Sequence, residues 1–258
     1  AFCTKNPAPF FPYMDLLKAY GQYWFVTITP YGRDIESRVP DKHQVIRDFI
    51  NLSKMVGSDR ICWRYDPILV NERYTLEYHL KAFSQMAALM EGSTKTCVIS
   101  FIDLYAKVLK NFPDVHSVRR EDMEYLAKEI VAIAGEHGMT VKSCGEGNWL
   151  KVYGIDTSGC MSYSVYEKAL GKKLIFPRGK EARKECACYL SGDIGAYNSC
   201  MHLCRYCYAN VEADTVRQNF VLHDPTSPLL IGRVSPHDVI HEAKQKSFID
   251  DQLSLPFC

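Results

Sequence analysis

Apolar residues follow two different periods along the first half of the chain. Some segments are dense in β-branched and aromatic residues, which is typical of buried strands. Others repeat their apolar residues at the three- and four-residue spacing of a helix. The predicted strands are 2–5, 22–29, 60–66, 96–102 and 139–144. The predicted helices are 41–56, 76–90 and 123–134. This alternation predicts a parallel sheet covered by helices.

A sixth strand is expected at Tyr189–Ala196. Six parallel strands alternating with helices predict an α/β fold, a partial parallel (β/α) barrel of the TIM type. Residues 1–144 would form its βα-repeat part, and the cysteine-rich residues 145–258 would complete the same domain. With 47% hydrophobic and 24% charged residues the composition is that of a globular protein, which excludes a disordered or collagen-like chain.

Polar residues follow the predicted strands, at the ends where a parallel α/β sheet collects its functional site. Among them Lys5, Arg64, Asp66 and Asp103 are the candidate catalytic residues, and Glu146 lies just beyond the fifth strand. In the alternative interpretation, Arg64 and Asp66 form only a local ion pair, and Glu146 is a carboxylate that caps a helix. As a set, these residues predict a polar pocket at one edge of the sheet.

Charge and hydropathy favour neither nucleic acid nor a membrane as partner. The 31 basic and 30 acidic residues leave a net charge of +1. No apolar run approaches the roughly 18–20 residues of a membrane span. The chain begins without Met and without a secretory signal, on a segment with strand composition. We therefore expect natural sequence upstream and a cytoplasmic location.

Cysteine is the unusual residue, with eleven among 258, an odd number and too few for a disulfide scaffold. Metal binding in a reducing cytoplasm explains them better. The segment Cys200–Cys207, here called the three-cysteine loop, has the spacing C-x3-C-x2-C. Three thiolates can hold a 4Fe–4S cluster and leave one iron open, whereas four would ligate it fully. The alternative is a zinc knuckle with His202 or a distant cysteine as fourth ligand.

Four further cysteines are candidates for a second metal site. They are Cys144, Cys160, Cys186 and Cys188. Four thiolates suit either a second 4Fe–4S cluster or a structural zinc ion. In the alternative interpretation some of them only fill the core, as free cysteines often do. His79 has no partner at ligand spacing, and we expect an ordinary surface or helix residue there.

The three-cysteine loop resembles that of the radical S-adenosylmethionine enzymes, including the aromatic Tyr206 before its last cysteine. The resemblance implies that Cys200, Cys204 and Cys207 bind a 4Fe–4S cluster whose open iron binds S-adenosylmethionine. It also implies an electron donor such as flavodoxin or ferredoxin, and cleavage to a 5′-deoxyadenosyl radical that abstracts hydrogen from a substrate. Tyr206 would flank the adenine, and Glu146 would contact the amino group of S-adenosylmethionine.

Four segments resemble DUF1848, a bacterial family of unknown function, and the resemblance spans almost the whole chain. They are Phe2-Cys-Thr-Lys-Asn-Pro7, Trp63-Arg-Tyr-Asp-Pro67, Ser100-Phe-Ile-Asp103 and the run from Asp193 to Asn210. That family carries a C-terminal cysteine cluster like the one at the start of radical S-adenosylmethionine domains. Cys3 departs from the pattern, which has Trp at that position.

The order of elements differs from that of radical S-adenosylmethionine barrels, whose cluster loop follows the first strand. Here it follows the last predicted strand, so we hypothesise a circular permutation in which Tyr189–Ala196 takes the place of that first strand. The strands that carry Lys5 and Arg64 also resemble those of spore photoproduct lyase, which suggests DNA-lesion repair as one substrate class. The near-zero net charge does not support that class, although a local basic patch is compatible with it.

Together these observations predict an iron–sulfur protein with radical S-adenosylmethionine activity on an unidentified substrate. One alternative is an iron–sulfur or zinc protein that never cleaves S-adenosylmethionine. Another is a non-radical barrel enzyme with a structural metal, whose polar site is Arg64, Asp66 and Asp103. Formation of 5′-deoxyadenosine separates the first from both others.

Overall fold

A five-stranded, all-parallel sheet forms the centre of the computed structural model. The structure describes residues 1–175, 181–183, 186–189, 193–242 and 247–250, with side chains throughout except in 181–183, 186, 187 and 189. The strands are β1 (Phe2–Thr4), β2 (Trp24–Thr27), β3 (Ile61–Ile68), β4 (Thr96–Phe101) and β5 (Thr140–Ser143). Each strand pairs with the next along the chain, so spatial order equals sequence order. The five strands predicted from the first 144 residues are confirmed.

Helices connect the strands and cover the sheet. They are α1 (Met14–Leu17), α2 (Lys42–Val56), α3 (Leu76–Leu89), α4 (Ala106–Asn111), α5 (Arg120–Glu136), α6 (Tyr163–Leu170) and α7 (Ala213–Val221). Short 3-10 helices lie at Ala8–Tyr13, Ser58–Arg60 and Trp149–Tyr153. Asp41 caps α2, because its side chain accepts a hydrogen bond from the Gln44 backbone N–H at 3.1 Å. Within the described ranges, no helix combines the length and the apolar character that crossing a membrane requires.

The sheet is buried on both faces, as expected for parallel strands between helical layers. On one face Trp24 and Trp63 meet apolar residues of α2, α3 and α5, and the rings of Trp63 and Phe83 stack with centroids 4.6 Å apart. The other face carries Phe25 and Cys62 in a smaller cluster that α6 and neighbouring residues complete. Because successive strand residues point to opposite faces, Arg64 shares this second face with Cys62.

The predicted sixth strand at Tyr189–Ala196 is wrong. Tyr189 ends a short strand, β7 (Cys186–Tyr189), which pairs antiparallel with β6 (Glu181–Arg183) in a separate two-stranded sheet. Residues 193–196 have no strand structure, and 190–192 lie outside the described residues. The β-forming residues before the cysteines thus pair with their nearest neighbours in sequence, because a local hairpin closes a short loop at low entropic cost. Five parallel strands in sequential order are consistent with a partial β/α fold.

His79 is a residue of α3, as one of the two expected alternatives has it, and it is fully buried there rather than on the surface. Its Nδ1 accepts from the Tyr65 hydroxyl at 2.8 Å, and its Nε2 donates to the Leu69 carbonyl at 2.7 Å. Both ring nitrogens are satisfied in the neutral form. Burial lowers the pKa of His79 from 6.5 to about 4, although the bond to Leu69 opposes this shift.

We expect His79 to make folding stability pH-dependent. Below pH 6.5 the unfolded chain binds a proton at His79, whereas the folded chain does not bind it until about pH 4. The contribution of neutral His79 to the free energy of unfolding is therefore complete above pH 6.5 and is lost as the pH falls from 6.5 to about 4. Between pH 7 and pH 4.5, the free energy of unfolding measured in urea should fall by about 2 kcal/mol more for the wild type than for His79→Gln. Equal losses in the two proteins would contradict the assignment.

Candidate functional site

Several polar side chains lie toward the carboxyl ends of the parallel strands, where the sequence predicts a polar pocket. Within β3, the Arg64 guanidinium donates from Nε to the Asp66 carboxylate at 3.0 Å and also from Nη2. The Ser100 hydroxyl on β4 donates to the other oxygen of Asp66. Burial raises the pKa of Asp66, but Arg64 and Ser100 outweigh it and hold the pKa below its ordinary value. Arg64 and Asp66 therefore form a charged pair at the sheet edge.

Glu36, in the segment after β2, is the most densely bonded carboxylate at this edge and is 2% exposed. It accepts from Lys5 at 2.8 Å, from the Thr29 hydroxyl at 2.6 Å, from Lys42 and from the Tyr206 hydroxyl. Burial raises the pKa of Glu36, but the two lysines outweigh it and lower the pKa to about 2. The candidate Lys5 is thus the partner of a residue that the sequence did not indicate.

The three-cysteine loop lies at the same edge, although it comes from the other end of the chain. The backbone N–H of Arg38 donates to the His202 carbonyl at 3.2 Å, and that of Arg205 donates to the Ile35 carbonyl at 2.9 Å. Between them, Glu36 and Cys204 form an antiparallel bridge. The Arg205 guanidinium also lies 4.1 Å from the centre of the Phe112 ring, just after α4. The loop therefore packs on segments that follow β2 and β4.

The thiols of the loop differ in exposure: Cys200 is exposed, Cys207 is intermediate and Cys204 is buried. Burial, together with Glu36 and the two other thiols, raises the pKa of Cys204 to about 12, while Lys5 opposes the shift. In the described part of the chain, no three or more His, Cys, Asp or Glu side chains are grouped so as to hold a metal ion. Ligation by the predicted set Cys200, Cys204 and Cys207 stays a prediction.

Asn210 and Tyr206 are two buried polar residues close in sequence to the three thiols. Asn210 donates to the Cys200 carbonyl at 2.8 Å, and its buried Oδ1 has no hydrogen-bond partner among the residues that the structure describes. Tyr206 is buried, with its ring near Tyr31 and 5.5 Å from the Lys5 ammonium. Soft thiolates with an open acceptor nearby are a donor set that suits an iron–sulfur cluster or zinc. The role of Tyr206 at an adenine stays a prediction.

Three of the four cysteines predicted for a second metal site lie close together. The Sγ atoms of Cys160 and Cys188 are 3.5 Å apart, and the Met161 backbone N–H donates to the Cys188 sulfur at 3.3 Å. A hydrogen bond from Cys160 lowers the pKa of Cys144 to about 7; burial opposes this, and Arg64 supports it. The side chain of Cys186 lies outside the described residues. A second metal centre stays a prediction.

Glu146 and Asp103 lie in the segments that follow β5 and β4. Glu146 does not cap a helix; it accepts from the backbone N–H of Phe101, at the end of β4, at 2.8 Å. Burial raises the pKa of Glu146 to about 7; the bond from Phe101 opposes the shift, and Asp103 adds to it. Asp103 is exposed and accepts from the Tyr105 hydroxyl at 3.0 Å. The structure therefore brings Arg64 and Asp66 into direct contact and leaves Asp103 exposed.

A family model, Domain of unknown function (DUF1848), matches residues 1–209. The chain belongs to the DUF1848 family. The DUF1848 match begins at β1 and ends two residues beyond Cys207, so it includes both the strand ends and the whole three-cysteine loop. A search of curated proteins found no match to the chain.

Sequence reasoning missed two residues of this DUF1848 site, Glu36 and Lys42. Glu36 lies in a polar segment, Gly32-Arg-Asp-Ile-Glu-Ser-Arg38, which has no motif or period that marks one carboxylate as buried. Lys42 is the first residue of α2 and would ordinarily be a solvated helix residue. Only the contact with Lys5 and Tyr206, which are distant in sequence, distinguishes Glu36 from its charged neighbours.

Proposed function

We propose that this DUF1848 protein holds a 4Fe–4S cluster through Cys200, Cys204 and Cys207 and is a radical S-adenosylmethionine enzyme. The observation that supports the proposal is the position of the three-cysteine loop, which packs on the segments after β2 and β4. Substrate sites of parallel α/β folds collect at this edge of the sheet. The spacing of the thiols and their position thus favour the same chemistry.

When bound, an open cluster supplies the electron that cleaves S-adenosylmethionine to a 5′-deoxyadenosyl radical. The chain's own residues would bind and orient the reactants. The Arg64–Asp66 pair fixes the plane of a guanidinium near the carboxyl ends of the strands, where it could orient a polar substrate group. Glu36 fixes the Lys5 ammonium in the same way. Tyr206 and Glu146 remain the candidates for contacts with S-adenosylmethionine.

For the substrate and the electron donor, only a chemical class is proposed. We propose a flavodoxin- or ferredoxin-like electron donor, because the chemistry requires a low-potential electron from outside the chain. A lesion in nucleic acid is one substrate class, suggested by the resemblance of the strands that carry Lys5 and Arg64. A partial β/α fold with the three-cysteine loop beside the carboxyl ends of its strands would serve this chemistry, although the circular permutation loses the strand at Tyr189–Ala196 on which it was based.

The metal content of the protein tests the proposal. Iron, sulfide and zinc are measured per chain after anaerobic purification and reconstitution, for the wild type, Cys200→Ala and Cys97→Ala. Cys97 is a buried residue of β4 outside both cysteine groups, which makes it the matched control. We expect about four or eight iron and sulfide in the wild type, about four fewer in Cys200→Ala and no change in Cys97→Ala. Zinc without sulfide would overturn the proposal and favour a zinc knuckle.

A further inference from the structure

The three-cysteine loop depends on non-covalent contacts for its place on the sheet. It follows residues 193–199, which have no strand structure and do not pair with β1–β5. The backbone bonds of Ile35 and Arg38 to Arg205 and His202 supply part of the attachment. Each such bond contributes only about 1 kcal/mol net. Other contacts must therefore stabilise the loop against detachment from the edge.

The Glu36 side chain has the geometry for this task. It joins four separate pieces of the chain: Lys5 after β1, Thr29 after β2, Lys42 at the start of α2 and Tyr206 in the loop. Three of these partners belong to the body of the fold, and the fourth lies between Cys204 and Cys207. A buried carboxylate with several charge-assisted bonds is a strong and rigid connection.

We propose that Glu36 is a positioning residue that fixes the three-cysteine loop on the carboxyl edge of the sheet. The inference deepens the proposed function, and only its consequence for cluster binding rests on that function. Removing the charge of Glu36 leaves the ammonium groups of Lys5 and Lys42 facing each other in a confined site without a counter-ion. A glutamine side chain at this position has one acceptor oxygen for the donors that now share two, and without the charge its bond to the Tyr206 hydroxyl is weaker, so the loop opens more often.

Thiol labelling of the metal-free protein tests the proposal. Native protein is treated with iodoacetamide, and mass spectrometry follows Cys204, which is 8% exposed, and Cys62, which is fully buried in β3. We expect Glu36→Gln to raise the labelling rate of Cys204 about tenfold or more, as loss of a charge-assisted bond shifts local opening. Cys62 should stay protected. The matched control is Asp48→Asn, which neutralises a different buried carboxylate, one that lies on α2, accepts a hydrogen bond within that helix and makes none to the loop in the described part of the chain. It should leave both labelling rates unchanged.

Two outcomes overturn the proposal. The first is a folded Glu36→Gln protein in which Cys204 reacts no faster than in the wild type. If Cys62 also becomes reactive, the variant has unfolded, and Tyr206→Phe replaces it because that change removes only one bond to Glu36. Unchanged labelling of Cys204 in Tyr206→Phe is then the second. Because labelling is done on metal-free protein, it tests the role of Glu36 even if the protein proves to bind no cluster. Likewise, unchanged labelling would leave the metal-content result as it stands.

Discussion

Replacing Arg64 by methionine is expected to lower the free energy of unfolding by about 3 kcal/mol. The change leaves the Asp66 carboxylate, which is 16% exposed, without the cation that balances it. Only the Ser100 hydroxyl would remain as a side-chain donor to it. A largely buried carboxylate that has lost its cation destabilises the fold by more than the intact ion pair stabilised it. The effect should be visible in urea unfolding at neutral pH.

A double variant and an exposed pair provide the controls. Arg64→Met/Asp66→Asn should recover much of the loss, because the second change removes the unpaired charge. Lys110→Met breaks a surface pair, in which Lys110 lies 2.8 Å from Glu212 and both side chains are more than half exposed, and should cost less than about 1 kcal/mol. If Arg64→Met costs no more than Lys110→Met, the Arg64–Asp66 pair does not stabilise the fold.

The sequence predicted the five parallel strands because their signal is local. Segments such as β2 and β4 are nearly continuous apolar runs, which is typical of strands buried on both faces. Because functional residues of parallel α/β sheets collect at the carboxyl ends of the strands, Arg64 and Asp66 were expected close together, and they make direct contact. Both steps need only the composition of a short segment and the right-handed connection of parallel strands.

The sequence could not predict which polar residues become buried. Glu36 is buried because Lys5, Lys42 and Tyr206 converge on it, and His79 because Tyr65 and Leu69 satisfy both of its ring nitrogens. Such compensation joins residues far apart in the chain, and no local pattern records it. The sixth strand failed for a related reason, since residue composition does not decide which partner a short strand pairs with.

We expect the cluster-loaded protein to form 5′-deoxyadenosine from S-adenosylmethionine, and Cys207→Ala to abolish it. An open 4Fe–4S cluster is held by only three thiolates, so the loss of one leaves too few ligands to hold it. Cys97→Ala leaves the three-cysteine loop untouched and should retain formation. The comparison therefore separates loss of ligation from general damage caused by removing a cysteine.

The measurement is the amount of 5′-deoxyadenosine formed anaerobically by reconstituted protein with S-adenosylmethionine and dithionite. The account predicts formation by the wild type and by Cys97→Ala, and only the protein-free background with Cys207→Ala. Wild-type protein that contains about four iron and four sulfide per chain but leaves S-adenosylmethionine intact would contradict the radical function. It would leave an iron–sulfur protein in its place.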